Sequence, residues 1–283
     1  MPKSGTTWLA RCLSEHPQVF VPPIKETMYF AYRYSSNISD YESYFCGAEA
    51  FAARGEFCTL YFYDEDAARR IKSHYPDVKL LLVLRNPIEQ IYSHYWHLAS
   101  QNFHSERTED IDFENALVQF PERLIMPARY GLHLPKWLTQ FERGQLLPLL
   151  YDDIRNSPLD VLSKVFDFLG VDPGFLPSFA STRSRKVRVG GAPRSALAGK
   201  VYRWLYHELK TKVFDPLTWK YGTDRVWRLK DQLRVREILQ TVFYSEGYPE
   251  ISPKTKRLLL AKLESDIAAV EALVEVDLSH WRA

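Results

Sequence analysis

Residues 2–8 of this chain read PKSGTTW, with Lys3 before Gly5 and with Thr6 and Thr7 after it. A glycine-containing loop that leads into a helix points backbone N–H groups and the positive end of the helix dipole at an anion. Gly5 lets the backbone approach a ligand closely, and Lys3 adds a positive charge. The lysine stands on the wrong side of the glycine for the nucleotide-triphosphate motif G-x-x-x-x-G-K-[ST]. The stretch predicts an anion loop of another kind, although a basic turn capping a helix fits it equally well.

A second segment, residues 79–95, reads KLLLVLRNPIEQIYSHY. Its apolar run 80–84 is typical of a buried parallel strand, and Pro87 suits the first turn of a helix over 88–97. Arg85 therefore follows the carboxyl end of a strand, which is where open α/β sheets bind ligands. Arg is the usual bidentate partner of phosphate, and Ser93 lies two turns into the helix. A surface arginine and a solvated serine are the alternative.

The two segments together resemble the sulfotransferases that use 3′-phosphoadenosine 5′-phosphosulfate (PAPS). In that family a loop of this kind holds the 5′-phosphosulfate, and a strand-end Arg with a helix Ser holds the 3′-phosphate. The resemblance therefore implies that PAPS is the sulfuryl donor, with no metal required. The positions that match the two elements are Lys3, Ser4, Gly5, Thr6, Thr7, Trp8, Arg85 and Ser93.

The catalytic residues follow from the same resemblance. The run from Lys25 to Phe30, KETMYF, is closer to carbohydrate, heparan-sulfate-like and bacterial sulfotransferases than to the cytosolic phenol type. It places Glu26 as the general base, with Lys3 and Lys25 stabilising the leaving phosphate. A carboxylate near a substrate in a dry site can have its pKa raised towards neutrality. A solvated Lys–Glu pair is the structural alternative. His94, His97 and His133 rank below Glu26, because a lone His beside aromatic residues is more often structural.

A third anion element is expected at residues 183–194, a basic segment that contains two glycines. It matches the family's 3′-phosphate loop in its position along the chain and in its basic, glycine-containing character, but not in its exact sequence. Arg185, Lys186 and Gly190 are the predicted contacts, with a flexible basic surface loop as the alternative for each.

Size and composition bound the function. The 283 residues suffice for a single sulfotransferase domain over 1–283, and the net charge of +2 argues against a nucleic-acid partner. There is no run of about 18 apolar residues, so no membrane span is predicted. Three widely spaced cysteines favour a reducing compartment. These features favour a cytoplasmic location, and the resemblance implies an enzyme of bacterial type that acts on a small-molecule or glycan hydroxyl.

Strands alternating with helices predict an α/β fold, a three-layer, P-loop-type parallel sheet flanked by helices. In the family a buried apolar strand leads into the anion loop, but here only Met1 precedes it. We therefore expect a sheet that lacks its usual first strand, through a truncated or mis-assigned N-terminus. Residues 56–63 alternate enough for a strand or for an extended active-site segment. The family that the chain resembles carries G-E-x-[ST]-P-x-Y here, which Gly55, Glu56 and Tyr61 match. Further helices are predicted over 7–15, 64–74, 113–120, 131–143, 158–169, 196–221 and 253–276, with a strand over 146–151. Gly170 is predicted to end the helix over 158–169.

Two other functions remain open. A P-loop kinase would need a G-K-[ST] motif and a magnesium-binding aspartate, for which Asp152 and Asp153 are the only hint. A non-catalytic PAPS-binding relative would keep the anion loop without the chemistry, and the presence of Glu26 argues against it.

Overall fold

The computed structural model describes residues 2–24, 26–35, 37–99, 112–181, 191–217, 233, 235–245 and 247–282. Within them lie four strands: β1 Val19–Phe20, β2 Ala53–Arg54, β3 Leu80–Leu84 and β4 Leu146–Leu150. The α-helices are α1 Thr6–Glu15, α2 Ser39–Glu42, α3 Ala67–His74, α4 Pro87–Ala99, α5 Phe113–Gln119, α6 Pro121–Leu124, α7 Tyr130–Leu138, α8 Tyr151–Asn156, α9 Pro158–Leu169, α10 Ser178–Ser181, α11 Ala196–Leu209, α12 Val235–Phe243 and α13 Pro253–Val274.

The strands pair in parallel, as predicted for an α/β fold. β1 pairs with β2 through Val19 and Ala53, and β3 pairs with β4 in the register Leu80 to Leu146. Parallel strands require crossover connections, which the intervening helices supply. Among the described residues the strands form two separate two-stranded sheets.

The chain divides into two compact units. The first comprises Met1–Ile91, Phe120–Val187 and Pro253–Ala283, and the second comprises Tyr92–Gln119 and Arg188–Ser252. The single domain over 1–283 stays a prediction.

The core of the first unit fixes the helix that follows the anion loop. The apolar face of α1 packs with residues of β3, β4 and α9, and this cluster is buried. Leu9 and Cys12 of α1 are fully buried, as are Val165 and Phe166 of α9. Gly170 ends α9 in the left-handed conformation, with φ +78°, as predicted for a glycine at that place. Burial of this face stabilises α1 in one orientation, so the loop before it has a fixed end.

In the second unit, aromatic rings pack along α4 and α5. Tyr92 contacts Phe113 edge-on, with ring centroids 4.8 Å apart, and Trp96 stacks on Tyr248 at 5.9 Å. A bridge between Gly191 and Gly247 joins the two ends of this unit's later segment. A Cβ on Gly191 would collide with a backbone carbonyl oxygen, so only glycine fits this approach.

The strand alternative for residues 56–63 is wrong. The only strand here is β2, which ends at Arg54, and Tyr61–Tyr63 forms a turn of 3₁₀ helix. Hydrogen bonds that the Tyr61 hydroxyl donates and the Glu56 carboxylate accepts hold this stretch instead of a sheet ladder. Three helices also differ from prediction. Helix α3 begins at Ala67, whose N–H donates to the Asp64 carboxylate, and α7 ends at Leu138. Helix α11 ends at Leu209 and is followed by a π-helical turn over Lys210–Phe214.

Candidate active site

The anion loop, residues 2–7, has the backbone of a binding turn. Lys3 and Gly5 both adopt positive φ, +61° and +87°, and α1 begins at Thr6 directly after Gly5. Alternation of this kind turns successive N–H groups towards one side, and the first N–H groups of a helix have no acceptor within it. A non-glycine residue in the left-handed region costs free energy, which is typical of ligand-binding turns. The prediction that residues 7–15 form the helix after the loop is confirmed.

The inner side of this loop is held by buried contacts. Ser4 is fully buried, and its hydroxyl donates to the Pro2 carbonyl at 3.4 Å. The Gln90 amide of α4 donates to the same carbonyl at 3.2 Å. Trp8 is 4% exposed and belongs to the core, so it anchors the first turn of α1. The predicted contacts of Ser4 and Trp8 with the sulfuryl donor stay predictions.

Arg85 joins the two predicted motifs. It follows β3, and its Nη1 donates to the carbonyl of Lys3 at 2.9 Å. Its Nη2 pairs with the Glu89 carboxylate at 2.9 Å, and its guanidinium lies 4.6 Å from the centroid of the Tyr151 ring. Five donors in a planar fork allow such a side chain to keep one bond to the loop while offering others to an anion. The strand-end arginine and the anion loop are thus one structural unit, although 82 residues separate them.

Ser93 lies on α4, in the second unit. It is 3% exposed, and its hydroxyl is 3.4 Å from that of Tyr248. Its predicted contact with a 3′-phosphate stays a prediction.

Glu26 is partly exposed, in the segment of residues 26–30 that we call the Glu26 segment. The hydroxyl of Thr59 lies 3.5 Å from both of its carboxylate oxygens. Lys25 lies outside the described residues, so its predicted role as a second cation stays a prediction.

The half-buried carboxylate of Glu56 holds the Glu26 segment, and the sequence did not assign it this role. Its Oε1 accepts from the hydroxyl of Tyr61 at 2.8 Å, and its Oε2 accepts from the backbone N–H of Thr27 at 3.1 Å. Burial raises the pKa of Glu56, while hydrogen bonds from Tyr61, Thr27 and Tyr41 oppose this rise. The match of residues 55–61 to a family motif was the available signal, but it did not show which way the carboxylate faces.

The third anion element falls largely outside the described residues, as do Arg185, Lys186 and Gly190. At its end, Arg194 donates to the carbonyls of Tyr244 and Thr241, at 3.1 and 3.2 Å. These contacts place its guanidinium at the C-terminal end of α12, where a cation satisfies the last carbonyls of a helix.

His133 is buried and hydrogen-bonded, as is typical of a histidine with a structural role. It is 3% exposed, its Nε2 lies 2.9 Å from the Met126 carbonyl oxygen, and burial lowers its pKa. This agrees with its ranking below Glu26. His94 and His97 stack on α4 with ring centroids 6.3 Å apart.

Two kinds of feature are absent from the described residues. They contain no group of three or more His, Cys, Asp or Glu side chains that could hold a metal ion. In the same part of the chain, no helix has the length and hydropathy needed to cross a membrane.

Comparisons with known proteins agree with the motifs. Residues 1–184 match the family described as Sulfotransferase domain. The chain is 30% identical over 196 residues to the bifunctional heparan sulfate N-deacetylase/N-sulfotransferase 4 of Mus musculus, covering 64% of this chain and 22% of that protein. It is 34% identical over 123 residues to carbohydrate sulfotransferase 15 of Rattus norvegicus, covering 36% of this chain and 22% of that protein. The chain thus spans about a fifth of the length of these curated relatives.

A solved structure supports the fold. The crystal structure of a sulfotransferase from Alicyclobacillus acidocaldarius matches 99% of this chain and 95% of that chain, with a TM-score of 0.68 and 23% identity. The α/β prediction is confirmed by this likeness and by the parallel strands. On the match of residues 1–184, the chain belongs to the sulfotransferase family.

Proposed function

We propose that this protein transfers a sulfuryl group from PAPS to a hydroxyl of a carbohydrate acceptor, with Glu26 as the general base. The observation that carries the proposal is the bond from Arg85 to the carbonyl of Lys3. It brings the strand-end arginine of one motif onto the loop of the other, as binding of one doubly phosphorylated donor requires.

The residues present fit such a donor. The positive φ angles of Lys3 and Gly5 and the start of α1 at Thr6 suit a phosphate group that approaches the backbone. Lys3 supplies a point charge, and Arg85 supplies a planar fork of donors. Thr6, Thr7 and the inner residues Ser4 and Trp8 complete the predicted 5′-side contacts. Arg85, Ser93, Arg185, Lys186 and Gly190 are proposed for the 3′-phosphate.

The chemistry needs a base, a cation and alignment. PAPS supplies the sulfuryl group, whose S–O bond to the 5′-phosphate breaks as a new S–O bond to the acceptor oxygen forms. Glu26 takes the proton of the acceptor hydroxyl, so that this oxygen can attack with its lone pair. Lys3 and Lys25 stabilise the negative charge that gathers on the bridging oxygen, which leaves with the bonding electrons as 3′-phosphoadenosine 5′-phosphate. In a loose transition state most of the catalysis comes from such positioning and charge stabilisation.

A carbohydrate acceptor is supported by the relatives, which are named as heparan sulfate and carbohydrate sulfotransferases. The KETMYF run, which is closer to carbohydrate sulfotransferases than to the phenol type, also favours a carbohydrate acceptor. A small-molecule alcohol is the alternative acceptor. A cytoplasmic location is supported by the free cysteines Cys12, Cys46 and Cys58.

Calorimetric binding of 3′-phosphoadenosine 5′-phosphate, compared with ATP and magnesium, tests the donor. Tight binding of the former without magnesium is expected. Preference for ATP with magnesium would move the protein to the kinase alternative, and binding of neither would refute the donor assignment.

Transfer of ³⁵S from labelled PAPS tests the chemistry. The acceptors are chondroitin, which offers hydroxyls, and de-N-sulfated heparin, which also offers free amines. Glu26→Gln should keep binding of 3′-phosphoadenosine 5′-phosphate and lose turnover by about 100-fold or more, the range expected for a general base. Glu49→Gln, at an exposed carboxylate, is the matched control. Equal turnover in Glu26→Gln would remove Glu26 from the mechanism. Binding without transfer in the wild type would favour the non-catalytic relative.

A further inference from the structure

The Glu56 carboxylate accepts a hydrogen bond from the peptide group that follows Glu26. The N–H that it accepts at 3.1 Å belongs to Thr27 and therefore to the Glu26–Thr27 peptide plane. Because a peptide unit is rigid, fixing its N–H also fixes the carbonyl of Glu26 and limits the rotation of the Glu26 backbone. The direction in which the Glu26 side chain leaves the backbone thus depends on a carboxylate 30 positions along the chain.

A chain of hydrogen bonds extends this control across the Glu26 segment. Because the hydroxyl of Tyr61 donates to Glu56, its oxygen accepts from the hydroxyl of Thr27 at 3.1 Å and from the N–H of Phe30 at 3.3 Å. The hydroxyl oxygen of Thr27 in turn accepts from the N–H of Tyr29 at 3.2 Å. Thr27 is fully buried, so these bonds are made away from solvent, where losing a partner is costly.

The same stretch of chain also contacts the side chain of Glu26. Thr59 lies between Glu56 and Tyr61 in sequence, and its hydroxyl is 3.5 Å from both carboxylate oxygens of Glu26. Residues 56–61 therefore contact Glu26 at its backbone and at its carboxylate.

We propose that Glu56 is a positioning residue that sets the orientation of Glu26 through the Thr27 peptide and the Tyr61 hydroxyl. This inference rests on the proposed function, in which Glu26 is the base. Both carboxylate oxygens of Glu56 already accept hydrogen bonds from the protein, which suits positioning rather than proton transfer. Partial burial raises the pKa of this carboxylate, and the hydrogen bonds from Tyr61 and Thr27 offset part of that rise.

The test compares Glu56→Ala with Glu56→Gln in the full chain. The glutamine can accept from the Thr27 N–H and donate to the Tyr61 oxygen, whereas alanine removes both contacts. We expect Glu56→Ala to lower kcat by about tenfold or more, with affinity for 3′-phosphoadenosine 5′-phosphate within about twofold, and Glu56→Gln to restore most of kcat. The assay uses whichever of chondroitin and de-N-sulfated heparin the wild type sulfates.

Hydrogen exchange provides a readout that needs no acceptor. The Thr27 amide should exchange at least about tenfold faster in Glu56→Ala than in the wild type, while the Leu82 amide of β3 keeps its rate. If Glu56→Ala does not fold, Tyr61→Phe should give a smaller change of the same kind. Glu49→Ala serves as the control at an exposed glutamate.

Three results would overturn the inference. The first is an unchanged Thr27 exchange rate in Glu56→Ala. The second is a loss of kcat in Glu56→Gln as large as in Glu56→Ala, which would assign Glu56 to proton transfer. The third is a parallel loss of kcat, donor affinity and Leu82 protection, which would mean a general loss of stability. Failure of the proposed function is read separately, from the wild type's binding of 3′-phosphoadenosine 5′-phosphate and from Glu26→Gln.

Discussion

The anion loop and the Glu26 segment are both short irregular stretches of the candidate site, but they are held in different ways. The loop depends on its own backbone: positive φ at Lys3 and Gly5, followed at once by α1. The Glu26 segment depends on side chains of residues 56–61, through bonds that span 29 to 34 positions. A conformation that depends on the backbone can be recognised from a few consecutive residues. One that depends on side-chain hydrogen bonds between distant positions can be recognised only in the folded chain.

The largest effect should come from Gly5→Val, which disrupts the backbone conformation of the anion loop. A Cβ at Gly5 would lie 3.2 Å from the Tyr151 ring, and a β-branched residue is a strong outlier at φ +87°. We expect calorimetric affinity for 3′-phosphoadenosine 5′-phosphate to fall by about 100-fold or more, with about 1–3 kcal/mol lost from the free energy of unfolding.

Two controls separate the causes in this variant. Gly47→Val has a similar φ of +81° with open space around it, so it reports the backbone strain alone. Gly144→Val has open space and no positive φ, so it should change neither quantity appreciably. Donor affinity in Gly5→Val equal to that of Gly47→Val would show that the loop tolerates a side chain.

A smaller effect is expected from Arg85→Ala, which separates the loop from its strand-end partner. Loss of a charge-assisted contact corresponds to about 1.5–3 kcal/mol, or roughly 10- to 100-fold in affinity for 3′-phosphoadenosine 5′-phosphate. Arg85→Lys should recover only part of it, because a lysine cannot reproduce the planar fork. Arg69→Ala removes an arginine whose ion pair with Asp66 is exposed, and binding should be unchanged. Unaltered affinity in Arg85→Ala would undo the 3′-phosphate assignment.

The sequence predicted those features that consecutive residues encode. The helix after the anion loop, the strand before Arg85 and the glycine stop of α9 are local patterns, and the structure has them at Thr6–Glu15, Leu80–Leu84 and Gly170. Even the association of loop and arginine could be expected, because the carboxyl edge of a parallel sheet collects such residues.

What the sequence could not predict depends on contacts between distant positions. The alternation over residues 56–63 fitted either a strand or an extended active-site segment. The backbone there joins no sheet, and the Tyr61 hydroxyl and the Glu56 carboxylate contact Thr27 instead. Nothing in the local pattern distinguishes a glutamate that faces solvent from one that faces Thr27. The direction of Glu56 is a property of tertiary packing, and periodicity carries no information about it.

Tyr61→Phe tests the side-chain hydrogen bonds that hold the Glu26 segment, because it removes one hydroxyl. Its loss leaves Glu56 Oε1 and the N–H of Phe30 without this partner, which should cost about 1–3 kcal/mol of unfolding free energy in denaturant titrations. Tyr32→Phe, at a residue that is 78% exposed, is the control and should be neutral. Donor affinity should change little in Tyr61→Phe, in contrast with Gly5→Val. A loss of donor affinity without a loss of stability would contradict the division between the two regions.

The smallest effect, and the most specific one, is the pH dependence that Glu56 contributes to stability. Its folded-state pKa is raised above the ordinary 4.5 by burial, so between 4.5 and the folded value the native state binds more protons than the unfolded state. The contribution to the free energy of unfolding is therefore full below pH 4.5 and falls as pH rises through that window.

Glu56→Gln removes this titration while keeping the shape of the side chain. The stability of the variant relative to the wild type should therefore increase as pH rises above 4.5 and level off above the folded pKa. The groups that share its surroundings, Tyr41, Tyr61 and Cys58, have pKa values raised by burial and stay neutral across this range. Denaturant titrations between pH 4.5 and 8 measure the difference, with Glu49→Gln as the exposed control. A constant difference across that range would mean that the folded pKa of Glu56 is not raised, because the Tyr61 and Thr27 hydrogen bonds, which lower it, offset the effect of burial.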